Sequence, residues 1–132
     1  MPDRHFTLEE ARGLVPWLQQ TFDAIAPLQM EFQSSKTRIR SVMSRVKSNG
    51  SSHTEEYLKN EISVLEGIQE RIDEHVSAIT DQGMVLRSVE RGLIDFPTVV
   101  EGRTVHLCWL AGESDITYWH EVDAGFAERQ IL

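Results

Sequence analysis

The sequence predicts an α+β fold: a long antiparallel two-helix hairpin, coiled-coil-like, followed by a small antiparallel β-meander packed on the N-terminal part of helix 1. Three observations carry this. Apolar residues recur at alternating steps of four and three in two separate stretches, the pattern of helical seams. The stretches are parted by Ser48-Asn49-Gly50-Ser51-Ser52, where Asn-Gly supplies the positive φ that ends a helix and the serines resist its continuation. After Gly83 the helical period gives way to short apolar runs between turn residues, as strands do. At 132 residues the chain suits a single domain, 1–132.

Helix 1 is expected over 7–47. Thr7-Leu8-Glu9-Glu10 is a capping box, in which the Thr oxygen satisfies an exposed N–H and the carboxylate three residues on reaches back to the cap. The seam then runs through Val15, Leu18, Phe22, Ile25, Phe32, Ile39, Met43 and Val46, with Gln29 and Lys36 as polar interruptions. Pro16 and Pro27 fall inside it. Each removes a helical N–H and crowds the preceding turn, so kinks are expected there; the unbroken phase favours a kinked helix over two helices and a loop.

Helix 2 is expected over 54–82, with Thr54 as its cap and Glu55 and Glu56 against the positive end of its dipole. Its seam reads Leu58, Ile62, Leu65, Gln69, Ile72, Val76 and Ile79, widened by Ile68. At ~1.5 Å per residue the two helices would extend ~60 and ~40 Å. The longer one therefore leaves Leu14, Val15, Trp17 and Leu18 without a helical partner, and the 84–132 module is placed to cover them. In that module Met84-Val85-Leu86 reads as a brief strand and Val89–Asp95 is ambiguous. Phe96–Val100 and Thr104–Leu110 read as strands joined at Glu101-Gly102-Arg103, Ile116–Val122 as a third, and Asp123–Leu132 as loop and tail.

Thirteen basic and 21 acidic residues give a net charge of −8, which argues against general binding to phosphate backbones. The basic run Lys36, Arg38, Arg40, Arg45 and Lys47 would suit a nucleic-acid adaptor. Folding the hairpin sets it opposite Glu55, Glu56, Glu61 and Glu66, so charge complementarity between the helices is the preferred explanation. No apolar run is long enough to span a membrane. With Cys108 as the lone cysteine and no signal-like start, the expected compartment is the cytoplasm.

Chemistry concentrates near the end. If Leu110 pairs with Ile116, then Cys108 faces Tyr118 and His106 faces His120 on one side of the sheet. Asp123 follows that strand and Glu113 sits in the intervening turn. His120, Asp123, Glu113 and His106 are thus candidate ligands for a divalent transition metal, since imidazole and carboxylate are its usual partners. A one-residue slip would separate the two histidines. Asp95, Cys108 and Arg129 form a further candidate polar cluster. For Cys108 a buried packing role is favoured over a nucleophile, because Leu107, Trp109 and Leu110 flank it. Asp95, just before Phe96-Pro97, is expected to serve a turn or cap. Trp109, Trp119, Tyr118 and Phe126 are expected mainly in the core.

FTLEEA near the start, ERGLIDFP, then LCW, and finally YWHEVDAGFAERQ together resemble a family of small bacterial and archaeal proteins classed as a domain of unknown function. The resemblance spans nearly the whole chain and implies motif positions at Glu10, Asp95, Phe96, Pro97, Cys108, Trp109, Glu113, Trp119, His120, Gly125, Phe126 and Arg129. It implies no activity and does not include His106, which favours a polar cluster of His120 with Glu113 and Arg129. The favoured function is a non-enzymatic interaction or assembly protein without a cofactor. It would be a homodimer, since one hairpin cannot cover Leu14, Leu28, Val42 and Ile68 as well as its seam. The alternative is a metal-binding protein or metal-dependent hydrolase centred on His120.

Overall fold

The capping box is formed: the Thr7 N–H donates to Glu10 Oε1 at 2.9 Å and the Glu10 N–H to Thr7 Oγ1 at 3.0 Å. In the computed structural model, which describes residues 4–46 and 52–132, it opens helix α1, Leu8–Val46, of 39 residues. Neither Pro16 nor Pro27 interrupts α1. Helix α2, Ser52–Thr80, has 29 residues and already includes the two residues before Thr54, the expected cap. Most of the expected connector, Ser48 to Ser51, lies outside the described residues, as does Lys47. No helix is long and apolar enough to cross a membrane, among the described residues.

Two compact units emerge. One contains the described residues of Ala24–Glu74, a helical hairpin whose interior holds Ile25, Ser35, Ile68 and Ile72. Leu28, Phe32, Ile39, Val42, Leu58 and Leu65 are half-buried. The seam differs from the expected one: Met43, Ile62 and Gln69 are exposed, and Val42, Glu61 and Ile68 take the inward places. Arg38 pairs with Glu61 across the two helices, which is the charge complementarity anticipated for the basic run.

The other unit joins the described residues up to Asp23 with His75–Leu132. It carries a five-stranded antiparallel sheet in sequential order: β1 Val85–Ser88, β2 Leu93–Val100, β3 Arg103–Leu110, β4 Tyr118–Glu121 and β5 Gln130–Ile131. Strand β2 starts three residues before the expected Phe96, and β4 is shorter than Ile116–Val122. The supposed tail contains a 3-10 turn, Phe126–Glu128, and the two-residue β5, too short for any alternation to register. Glu101 and Gly102 join β2 to β3 with φ of 51° and 80°, the two positive values of a type I′ hairpin turn. Gly92 has φ of 70°, and a Cβ there would stand 2.5 Å from that of Ala111, so only glycine fits.

One face of the sheet is apolar. Ile94 opposes Trp109 and Phe96 opposes Leu107, and all four are buried with Phe6, Ala11, Val15, Leu18, Phe22 and Ile79. The Phe6 ring meets Phe96 edge-on at 5.3 Å, and Phe22 lies 6.1 Å from Trp109. Burying a Phe or Leu side chain contributes about 1.5–3 kcal/mol, so this contact fastens the meander to the start of α1. Polar ties flank it: Arg12 donates to the Ile116 carbonyl, and the Gly112 N–H donates to Gln19 at 2.7 Å. Pro97 is tolerated within β2 because the last β1 pair is Val85 with Asp95. Its carbonyl accepts the Phe6 N–H at 2.7 Å, and the N–H it lacks would point to that same strand-free edge.

Candidate functional site

The other face of the sheet is polar yet buried. Alternation along β2 sends Asp95 to the side opposite Ile94 and Phe96, and its Cα partner on β3 is Cys108. Strands β3 and β4 pair with His106 opposite His120 and Cys108 opposite Tyr118. Asp95, His106, Cys108 and His120 are all buried, with Asp95 and His120 each 1% exposed. Sequence alone offered Asp95 both a polar cluster with Cys108 and Arg129 and a turn or cap. The structure corrects the second: β2 begins at Leu93, so Asp95 is a mid-strand residue on the polar face.

The carboxylate is the hub. Oδ1 lies 3.0 Å from His120 Nε2, and Oδ2 lies 3.3 Å from His106 Nδ1. Arg87 Nε donates to the same Oδ2 at 2.8 Å, and Arg87 Nη2 is 3.5 Å from His106 Nδ1. The second nitrogen of His120, Nδ1, stands 2.7 Å from the Glu121 carbonyl. The two imidazoles meet edge to face, with centroids 5.6 Å apart. Burial pushes the Asp95 carboxyl upward, but hydrogen bonds and charge from Arg87 and His120 outweigh it and hold it below its ordinary value. Burial also lowers His106; Asp95 opposes this, while Arg87 and His120 add to it.

Arg87 escaped the sequence reading because the first strand was expected to span only Met84-Val85-Leu86. Val85 pairs with Asp95, so alternation along β1 sets Arg87 on the carboxylate's face. The register shifts by one between Leu86 and Ser88, which pair with Ile94 and Leu93, so Arg87 sits at a β-bulge.

One carboxylate oxygen of Asp95 and one nitrogen each from His106 and His120 lie within 4.8 Å of one another, the one such three-ligand group among the described residues. A backbone acceptor on His120 Nδ1 holds the ring with Nε2 toward Asp95 Oδ1, the kind of outer support that metal-bound histidines usually have. Asp123 and Glu113 are outside this group. Asp123 is exposed. Glu113 is committed to Arg129 through both oxygens at 3.0 Å and also accepts the Leu110 N–H at 2.7 Å. The expected cluster of His120 with Glu113 and Arg129 thus separates into an Asp95-centred triad and a Glu113–Arg129 clamp. Arg129 stacks on Tyr118 and Phe126, at 4.0 and 4.1 Å from their centroids. Cys108 is fully buried, and burial first, then Asp95, pushes its thiol up to about 12, with Arg129 opposing. Burial of the sulfur and the raised pKa both argue against the nucleophile alternative, which needs an accessible thiolate.

A family model described as an uncharacterised conserved protein matches residues 4–132. The chain belongs to the DUF2203 family. No significant match was found among curated proteins or solved structures. Within this DUF2203 chain the motif positions take distinct places: Glu10 in the helix cap, Trp109 in the core, Asp95 and His120 in the triad, and Glu113 with Arg129 in the clamp. His106, which lay outside the recognised motif, is a full member of the triad.

Proposed function

We propose that this DUF2203 chain is a metalloprotein, with Asp95, His106 and His120 holding a divalent transition-metal ion. The observation that carries the reading is the convergence of these three ligand atoms, within 4.8 Å of one another, in a buried setting where a carboxylate and two imidazoles have no packing reason to meet. Structural zinc sites close with four protein ligands, whereas three leave a position for water or an added ligand. The donor set suits an ion acting as a Lewis acid on bound water. Two imidazoles and a carboxylate serve zinc and non-haem iron alike.

The test is metal content after purification without chelator, followed by Zn²⁺ titration against a chromogenic competitor. Asp95→Asn and His120→Gln should each weaken binding at least about tenfold, while Glu113→Gln and Asp123→Asn should leave it unchanged. Equal affinity across all four variants would end the proposal.

Self-association through the hairpin is a second reading, supported by exposed apolar side chains at Met30, Met43, Tyr57, Ile62 and Val64. Light scattering at micromolar concentration should then give the mass of a homodimer; a monomer mass would count against it.

A further inference from the structure

We infer that Arg87 is a built-in cation which an incoming metal ion must displace, and that the displaced guanidinium completes a binding site for a small oxyanion, carboxylate or phosphoryl, held between the ion and Arg87. The inference rests on the metal reading of the triad and says what that site would bind.

The guanidinium occupies electron pairs that an ion could use. Its Nε–H is directed to Asp95 Oδ2 at 2.8 Å, and its Nη2 stands 3.5 Å from His106 Nδ1. Coordination through those two atoms is incompatible with both contacts. Arg87 is free to yield, because it sits on the bulge of the edge strand β1 and its side chain is 43% exposed, against 1% for Asp95.

Charge then calls for an anion. Asp95 and Arg87 cancel, whereas a divalent ion added to that pair leaves two positive charges beside buried groups. An ion with three protein ligands keeps an open position. A planar guanidinium released next to it presents a fork of donors that matches carboxylate and phosphoryl oxygens.

The approach is suitable too. His106 forms part of the wall of an open cleft of about 1020 Å³, shared with Arg4, His5, Thr104 and Val122, and Asp81 is the one carboxylate among its described lining residues. The cleft's described lining carries one arginine and one aspartate, so it is close to neutral in a chain of net charge −8 and does not repel an anion as an acidic surface would.

The experiment uses the full chain loaded with Co²⁺, whose visible absorption reports on its ligands, titrated separately with sodium acetate and sodium phosphate. In the wild type one or both anions should shift the spectrum to saturation. Arg87→Met should bind Co²⁺ at least as tightly, since its competitor is gone, yet need at least about tenfold more anion. Arg87→Lys, which keeps a charge but loses the fork, should fall between, and it carries the test if Arg87→Met does not fold. Saturation by acetate alone assigns a carboxylate ligand, and by phosphate alone a phosphoryl one. An anion response unchanged by either substitution, no response in the wild type, or weaker Co²⁺ binding in Arg87→Met overturns the inference and leaves the metal reading standing. Absence of Co²⁺ bands in every form overturns both.

Discussion

His120 Nε2 stands 3.0 Å from Asp95 Oδ1, with both residues 1% exposed. A carboxylate so buried is tolerated only while its partners remain, because an unpaired ion in a low-dielectric interior carries most of its desolvation cost. Removing it strands Arg87, His106 and His120 together.

Asp95→Ala should therefore destabilise the fold by about 3–5 kcal/mol, the usual cost of breaking a buried charged pair from one side. Urea denaturation with excess chelator measures it apart from any ion. A double-mutant cycle with His120→Gln should show strong coupling. Additive losses would mean that the two side chains are near each other without interacting.

Acidification should act through the same groups. Burial, the main cause, holds the His106 imidazole in the folded chain below its ordinary value of 6.5. The unfolded chain consequently takes up a proton there first as pH falls. Its contribution is fully present above 6.5 and is lost as pH drops toward the folded value. Asp95, held below its ordinary value of 3.8, adds a second loss at lower pH. Urea midpoints in chelator should fall between pH 7 and 5, then again below 4, and His106→Gln should flatten the first step alone. A flat profile from 7 to 5 in the wild type would contradict this.

The two helices, the hairpin turn at Gly102 and the facing of His106 with His120 were legible in the sequence, because each rests on local periodicity or on a constant register sum. What stayed hidden depends on backbone detail. The turn or cap expected of Asp95 came from reading Phe96-Pro97 as a strand start, whereas the Phe6 N–H on the Pro97 carbonyl shows how β2 carries a proline and still extends back to Leu93. Arg87 was missed because the first strand was expected to end at Leu86, although alternation from Val85, the partner of Asp95, sets it on the carboxylate's face. Glu113 lies outside the Asp95 group: both its oxygens accept from Arg129, and one also accepts the Leu110 N–H.

Cys108 provides a check on the polar face that needs no ion. Its thiol is pushed up to about 12, chiefly by burial, so at pH 8 almost no thiolate exists in the native protein. A chromogenic disulfide reagent should find no fast-reacting thiol until denaturant is added, and then one per chain. Above pH 9 the unfolded chain loses this proton while the folded one keeps it, so stability should begin to decline there. Rapid labelling of the native protein at pH 8 would show that the face opens to solvent.

Ser35 offers the sharpest test of the hairpin. It is fully buried, and its Oγ is the one described buried side-chain polar atom without a hydrogen-bond partner. An unsatisfied buried hydroxyl costs about 1–3 kcal/mol, and nothing in the seam rewards it except small size. Ser35→Ala keeps that size and removes the penalty, so it should stabilise the chain. Alanine also gains up to about 0.7 kcal/mol of helix propensity over serine, and the exposed neighbour Ser34 controls for this. The urea midpoint should rise for both Ser34→Ala and Ser35→Ala, and more for Ser35→Ala by the equivalent of about 1 kcal/mol. If Ser35→Ala gains no more than Ser34→Ala, the buried hydroxyl imposes no penalty, and the case for a polar defect in the hairpin interior fails.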